Sequence, residues 1–189
     1  NKDFSVCRNH FLWFGSGGMV HKGLDVTLEA FSGMPDMRLT ICGPVAAEKE
    51  FERAYQAELY ETSNIRTVGW VDVASAEFAR IVNECVAIIY PSCAEGQAGS
   101  VIMCLRAGLL PIATCETGLD VHDFGWLLSD ISVEGIRRSV RAVAAMPSTE
   151  IESRSRRAWN YAAEYHGQEA YARRYAEIIA TITAGMSNT

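Results

Sequence analysis

A lysine leaving a glycine-rich turn and a glutamate just ahead of a helix start are the residues best suited to hold an anionic or hydroxyl-rich ligand. The turn reads Gly15-Ser16-Gly17-Gly18-Met19-Val20-His21-Lys22-Gly23. Its glycines let the backbone approach a ligand closely, and successive amides in such a turn form a concave anion site. Lys22 is expected to open the next helix, whose dipole already makes that end positive, so a cation there is a poor local choice. A poor local choice after a strand points to an anionic ligand; a solvated lysine in a plain turn fits the same residues. The second place is Pro91-Ser92-Cys93-Ala94-Glu95-Gly96-Gln97-Ala98-Gly99-Ser100. A helix starting near Ala98 leaves the amides of Gln97, Ala98, Gly99 and Ser100 as first-turn donors, which favour phosphate. Glu95 is then placed to accept hydrogen bonds from ligand hydroxyls, or simply to complement the helix end. Two shorter turns, Cys42-Gly43-Pro44 and Gly69-Trp70-Val71, each read singly as plain turns.

The elements that must carry these loops are legible as apolar runs and helical periods. HFLWF (10–14), RLTIC (38–42), residues 65–68, VAIIY (86–90), residues 109–113 and a short 126–128 run read as strands. Between them lie predicted helices: one with Leu24, Leu28 and Phe31 on one face, then 46–61, 74–84 with Phe78, Ile81 and Val82 inward, and 98–107. Residues 133–145, 150–165 and 168–184 close the chain as helices. Strand-helix repetition implies right-handed crossovers and a parallel sheet with helices on both faces. Strands covered on both faces read as unbroken apolar runs. Ligands in such sheets bind at the carboxyl ends of the strands, where the loops above lie.

Composition limits the function classes. Of 189 residues, 49% are apolar and 21% charged, as in a soluble globular domain with a core. The expected organisation is one domain, with a core at 10–130 and closing helices at 131–185. The chain begins at Asn1, so it reads as an excised part of something longer. Net charge is −6, which argues against general nucleic-acid binding. No apolar run approaches the ~20 residues that span a bilayer. Cys7, Cys42, Cys85, Cys93, Cys104 and Cys115 form no C-x-x-C pair and read as reduced core residues of a cytoplasmic protein. No metal site is expected. Arginines at 137, 138, 141, 154, 156, 157, 173 and 174 enrich the late helices. They suit a solvated, charge-balanced face, or peripheral contact with anionic lipid at the inner face of a membrane. Trp159, Tyr161, Tyr165 and Tyr171 are expected to pack these helices on the core or a partner domain.

In order and spacing, several segments resemble the C-terminal, donor-binding domain of retaining GT-B glycosyltransferases. They are Lys22-Gly23-Leu24-Asp25 with Leu28-Glu29-Ala30-Phe31, Arg38 through Gly43, Val68-Gly69-Trp70-Val71, Tyr90 through Gly96, Ala107-Gly108, and Pro111-Ile112-Ala113-Thr114. The resemblance covers about residues 10–130. It implies a Rossmann-like α/β domain, one half of a GT-B fold, whose N-terminal acceptor domain is absent from this chain. It implies a nucleotide-diphospho-sugar donor, retaining hexosyl transfer to a glycan or lipid-linked acceptor, no further cofactor and no metal. Lys22 would contact the donor diphosphate and Glu95 the hydroxyls of the transferred sugar. Gly17, Gly18 and the Gly96, Gln97, Ala98, Gly99 and Ser100 backbone would line sugar and phosphate; Gly43, Pro44, Trp70 and Val71 would flank the base. The departing phosphate would deprotonate the acceptor, so no protein base is expected. The isolated domain would be inactive.

Two positions depart from the family pattern. The arginine expected five residues before the lysine is Gly17, and the second glutamate, eight positions after Glu95, is Met103. A cation about 4 Å from the leaving diphosphate contributes on the order of 4 kcal/mol at an effective dielectric of about 20. Its loss without a substitute costs a factor of roughly hundreds in rate. His21, Arg106 or a residue of the missing domain are the candidate substitutes. Met103 bears on ribose and base recognition instead. A domain that kept the fold and lost the activity, serving binding or assembly, is therefore the second reading. An NAD(P)-binding domain is the third: Gly15-x-Gly17 follows a strand, but the third fingerprint glycine is Val20 and the second strand ends without an acid.

Overall fold

Successive residues of a strand face opposite sides of a sheet, and the apolar runs bury both sides. The computed structural model describes residues 2–121 and 123–186. A short helix α1 (Phe4–Cys7), which no sequence period announces, precedes strand β1 (His10–Phe14). There follow α2 (Leu24–Ser32), β2 (Arg38–Cys42), α3 (Lys49–Ala54), α4 (Gln56–Tyr60), β3 (Ile65–Gly69), α5 (Ala76–Glu84) and β4 (Ala87–Tyr90). The chain continues through α6 (Gly99–Arg106), β5 (Leu110–Ala113), β6 (Trp126–Leu127), α7 (Val133–Ala145), α8 (Ser148–Tyr165) and α9 (Gln168–Met186).

All strand pairs are parallel, in the order β3-β2-β1-β4-β5-β6. Phe11, Trp13, Leu39, Ile41 and Ile89 pack on one face against Leu28 and Phe31 of α2 and Ile136 and Val140 of α7. Leu12, Ile88 and Tyr90 pack on the other against Phe78 and Ile81 of α5, Val101 and Leu105 of α6 and Ala158 of α8. The expected two-sided α/β sheet is therefore present. Serine hydroxyls start two of its helices: Ser75 accepts from the Phe78 amide, and Ser132 from the Gly135 amide, caps that stabilise a helix by about 1 kcal/mol each.

Two expectations need correction. The single helix expected over 46–61 is instead a 3-10 turn (Val45–Ala47) followed by α3 and α4. Glu48 adopts φ −103° and ψ 78°, and its side chain is held by amides of the Gly15–Gly23 loop. A long-range contact overrides local propensity there. The amides of Tyr55 and Leu59 still bond to residues four earlier, so the second break is a bend in a continuing ladder. The cysteines also divide: Cys7, Cys42, Cys85 and Cys104 are buried, whereas Cys93, in the loop after β4, and Cys115, at the start of a 3-10 turn (Cys115–Thr117), are exposed.

The late-helix arginines mostly meet acids: Arg138 with Asp130, Arg141 with Asp36, Arg154 with Glu150, Arg156 with Glu152 and Arg157 with Asp123. That is the pattern of a solvated face. Tyr161 packs on Phe124, while Tyr171 is exposed. No helix among the described residues is long and apolar enough to cross a membrane.

Candidate functional site

The chain builds β1, β2 and β3 outward in one direction, then returns to lay β4 on the other side of β1. Reversal of strand order leaves a crevice between the loops after β1 and β4. These are the Gly15–Gly23 and Pro91–Ala98 segments, 73 residues apart at Lys22 and Glu95 and adjacent in space.

Tight backbone contacts lock them. The Cys93 amide donates to the His21 carbonyl at 2.8 Å, and the Ser92 hydroxyl donates to the same oxygen at 3.2 Å. Gly23 has φ 69°, and a Cβ there would stand 2.4 Å from the Pro91 carbonyl oxygen, so a side chain would drive the loops apart. Beneath them the Trp13 indole donates to the Lys22 carbonyl at 3.2 Å.

Lys22 does not open the helix. α2 begins at Leu24, with Gly23 as its cap, and Lys22 is 7% exposed. It is thus not a solvated lysine. Its Nζ donates to Glu95 Oε1 at 2.7 Å and lies 3.0 Å from His21 Nε2. The Tyr90 hydroxyl donates to the same Glu95 oxygen at 2.9 Å. Burial pushes the Glu95 carboxyl up, but the bonds from Lys22 and Tyr90 outweigh it and hold the pKa below the ordinary carboxylate value. Burial, and then the Glu95 carboxylate, push the Tyr90 phenol up. Glu95 is therefore a lysine-paired carboxylate that also accepts from a tyrosine.

The amides near α6 are only partly free. α6 begins at Gly99, so the amides of Gly99 and Ser100 open its first turn. The Ala98 amide, expected to be unpaired, instead donates to the Thr117 carbonyl at 2.9 Å, and the Glu95 amide donates to Glu116 at 3.1 Å. The 114–118 segment thus props this loop from behind. Gly118, at φ 68°, allows it to do so, since a Cβ there would meet the Gly96 carbonyl oxygen at 2.6 Å.

The glycine-rich loop does form an anion cradle, and the protein itself fills it. The amides of Gly18 and Met19 both donate to the Glu48 carboxylate. A Cβ on Gly17 would lie 3.5 Å from Glu48 Oε1, so the space beside Gly17 belongs to an acid.

Gly43 packs tightly against the loop after β1: a Cβ there would come within 2.6 Å of the Gly15 carbonyl oxygen, and its amide donates to the Gly69 carbonyl at 2.8 Å. Pro44 is half-buried, Trp70 is 73% exposed and Val71 is buried. Of this pair, only Trp70 offers a surface to stack on. Met103 lies on α6 and is partly exposed. Of the candidate substitutes for the missing arginine, Arg106 has its guanidinium over the Trp159 ring at 5.3 Å, whereas the His21 ring lies 3.0 Å from the Lys22 ammonium. Among the described residues no group of three or more metal-ligating side chains converges.

Sequence reasoning passed over Glu48, Tyr90 and Gly118. The only local signal was Gly118 between two loop segments; the others act across the fold.

The fold resembles that of known glycosyltransferases. It aligns with Anabaena HepE in complex with UDP and glucose at a TM-score of 0.75 and 11% identity, over 91% of this chain and 48% of that one. A Rickettsia africae glycosyltransferase aligns at 0.77 and 15%, over 92% and 48%. Thermosynechococcus elongatus sucrose-phosphate synthase aligns at 0.76 and 16%, over 93% and 46%. The chain thus spans about half the length of these proteins and matches one half of a GT-B fold. Comparison with curated protein sequences finds no match. Residues 8–145 match the family model described as glycosyl transferases group 1. The chain belongs to the glycosyl transferases group 1 family.

Proposed function

We propose that this chain is the donor-binding half of a retaining hexosyltransferase and takes a nucleotide-diphospho-sugar at the crevice between the β1 and β4 loops. The observation that carries this reading is the buried Lys22 ammonium, held against Glu95 beside the opening amides of α6. Cations and fixed amides stabilise the charge that grows on a departing diphosphate. Lys22 supplies the cation, and Glu95 offers its lone pairs to sugar hydroxyls. Gly17, Gly18, Gly96, Gln97, Gly99 and Ser100 line the approach. Gly43, Pro44 and the exposed Trp70 flank the base. The departing phosphate takes the acceptor proton, so the chain supplies no base, metal or cofactor. An N-terminal domain of the same enzyme brings the glycan or lipid-linked acceptor, and the chain alone does not turn over. HepE was solved with UDP and glucose, which is consistent with this donor class. Arginines already paired with acids lend no support to membrane attachment.

One observation favours the degenerate reading: a carboxylate stands where the family pattern expects an arginine's neighbourhood. Calorimetric titration with UDP-, GDP- and ADP-sugars separates the two. Binding of one of them at micromolar to millimolar concentration is expected. A folded chain that binds none is a degenerate domain.

A further inference from the structure

We propose that Glu48 is a built-in competitor for the diphosphate cradle, a carboxylate that the donor must displace from the amides of Gly18 and Met19. This rests on the donor-site reading above and adds how that site is guarded.

Four observations carry it. Both Glu48 oxygens approach the Met19 amide, at 3.3 and 3.2 Å, and Oε1 also accepts from Gly18. Donors that would face a phosphate therefore face an acid that occupies them the way an anionic ligand would. Second, the carboxylate has no competing duty. Glu48 is the cap residue of α3 yet makes no side-chain bond to that helix. Among the described residues no lysine or arginine pairs with it, and the neighbouring Lys49 pairs with Glu52. Third, Glu48 lies directly beside Gly17: a Cβ at 17 would stand in ordinary contact with Oε1, at 3.5 Å. Fourth, Glu48 is half-buried at the crevice mouth, so it can swing toward solvent without opening the core.

The contact serves the unliganded chain, because it satisfies two loop donors that would otherwise be unpaired. It opposes the liganded one, because carboxylate and diphosphate claim the same amides and repel each other. With Glu95 already on Lys22, both the cation and the amides are neutralised at rest. A donor must break into this closed set of pairs.

The test is titration of UDP, GDP and ADP, each beside its parent nucleoside, into the wild-type chain and E48Q, with circular dichroism to confirm folding. Gln keeps an oxygen for the amides and removes the charge. A charge-assisted hydrogen bond is roughly twice as strong as a neutral one, so E48Q should bind the diphosphate about tenfold more tightly, with the nucleoside unchanged. If the wild type binds a diphosphate and E48Q binds it equally or more weakly, Glu48 is a loop brace or a donor contact and this proposal is wrong, while the donor site stands. If neither folded protein binds any diphosphate, the donor site and its guard fall together. E48A separates brace from competitor: weaker binding than wild type marks a brace and overturns the proposal, and tighter binding supports it.

Discussion

The two ends of the sheet both carry charges and a cleft, yet only the carboxyl end carries the proposed donor site. At the amino end, a cleft of 990 Å³ is lined by His10, Arg38, Asn64, Arg66 and Glu84 among others. Its ion pair is exposed: Arg66 meets Glu84 at 3.2 Å with side chains 45% and 36% accessible. Such pairs contribute about 0–1 kcal/mol. At the carboxyl end the cleft beside Val20, Glu48 and Tyr55 is smaller, about 500 Å³, but Lys22 and Glu95 are largely withdrawn from water and the Gly18 and Met19 amides hold a carboxylate. Cavity size therefore does not point to the proposed site. The direction of the strands does, because parallel strands place all their crossover exits, and hence helix starts, on one side.

Removing the ammonium is the largest test of this contrast. Lys22→Ala should weaken binding of the diphosphate nucleotide about 100-fold, in line with a hydrogen bond to a charged group, and leave the nucleoside unaffected. Equal loss for both, measured by calorimetry, would mean that Lys22 holds the loop and not the phosphate.

A smaller effect is expected from the amino end, and on stability alone. Burial, helped by nearby Arg66, lowers the His10 pKa from 6.5 to about 4. The folded chain therefore keeps the ring neutral where the unfolded chain protonates it. Stability from this group is complete above pH 6.5 and is lost as pH falls toward about 4. Denaturant unfolding of wild type and His10→Gln should give a stability difference that changes across that window. A constant difference would show that the ring's protonation is not linked to folding.

The smallest expected effect is none. Arg66→Ala removes an exposed pair and should leave nucleotide affinity within error of wild type. A loss comparable to that of Lys22→Ala would move the site to the other end of the sheet.

Much of this was readable beforehand for a local reason. VAIIY and HFLWF are continuous apolar runs because both faces of each strand are covered, and both lie in the sheet close to their expected bounds. The loops holding Lys22 and Glu95 stand out because glycines and charges interrupt those runs. The helix expected over 46–61 failed at Glu48, and the free amide expected at Ala98 is taken by Thr117. Both failures come from partners elsewhere in the chain, which no local period reports. The same holds for Tyr90, which looks like one more apolar strand residue until its hydroxyl is seen on Glu95.

By itself, then, the sequence determined a parallel α/β sheet, the loops that exit it, and the residues in them with chemistry to offer, since periodicity and glycine placement act over a few neighbours. Tertiary structure alone decided which of those residues meet. Lys22 joins Glu95, and Glu48 enters the cradle of Gly18 and Met19, because only the order of crossovers brings loops separated by 73 and 30 residues to one crevice.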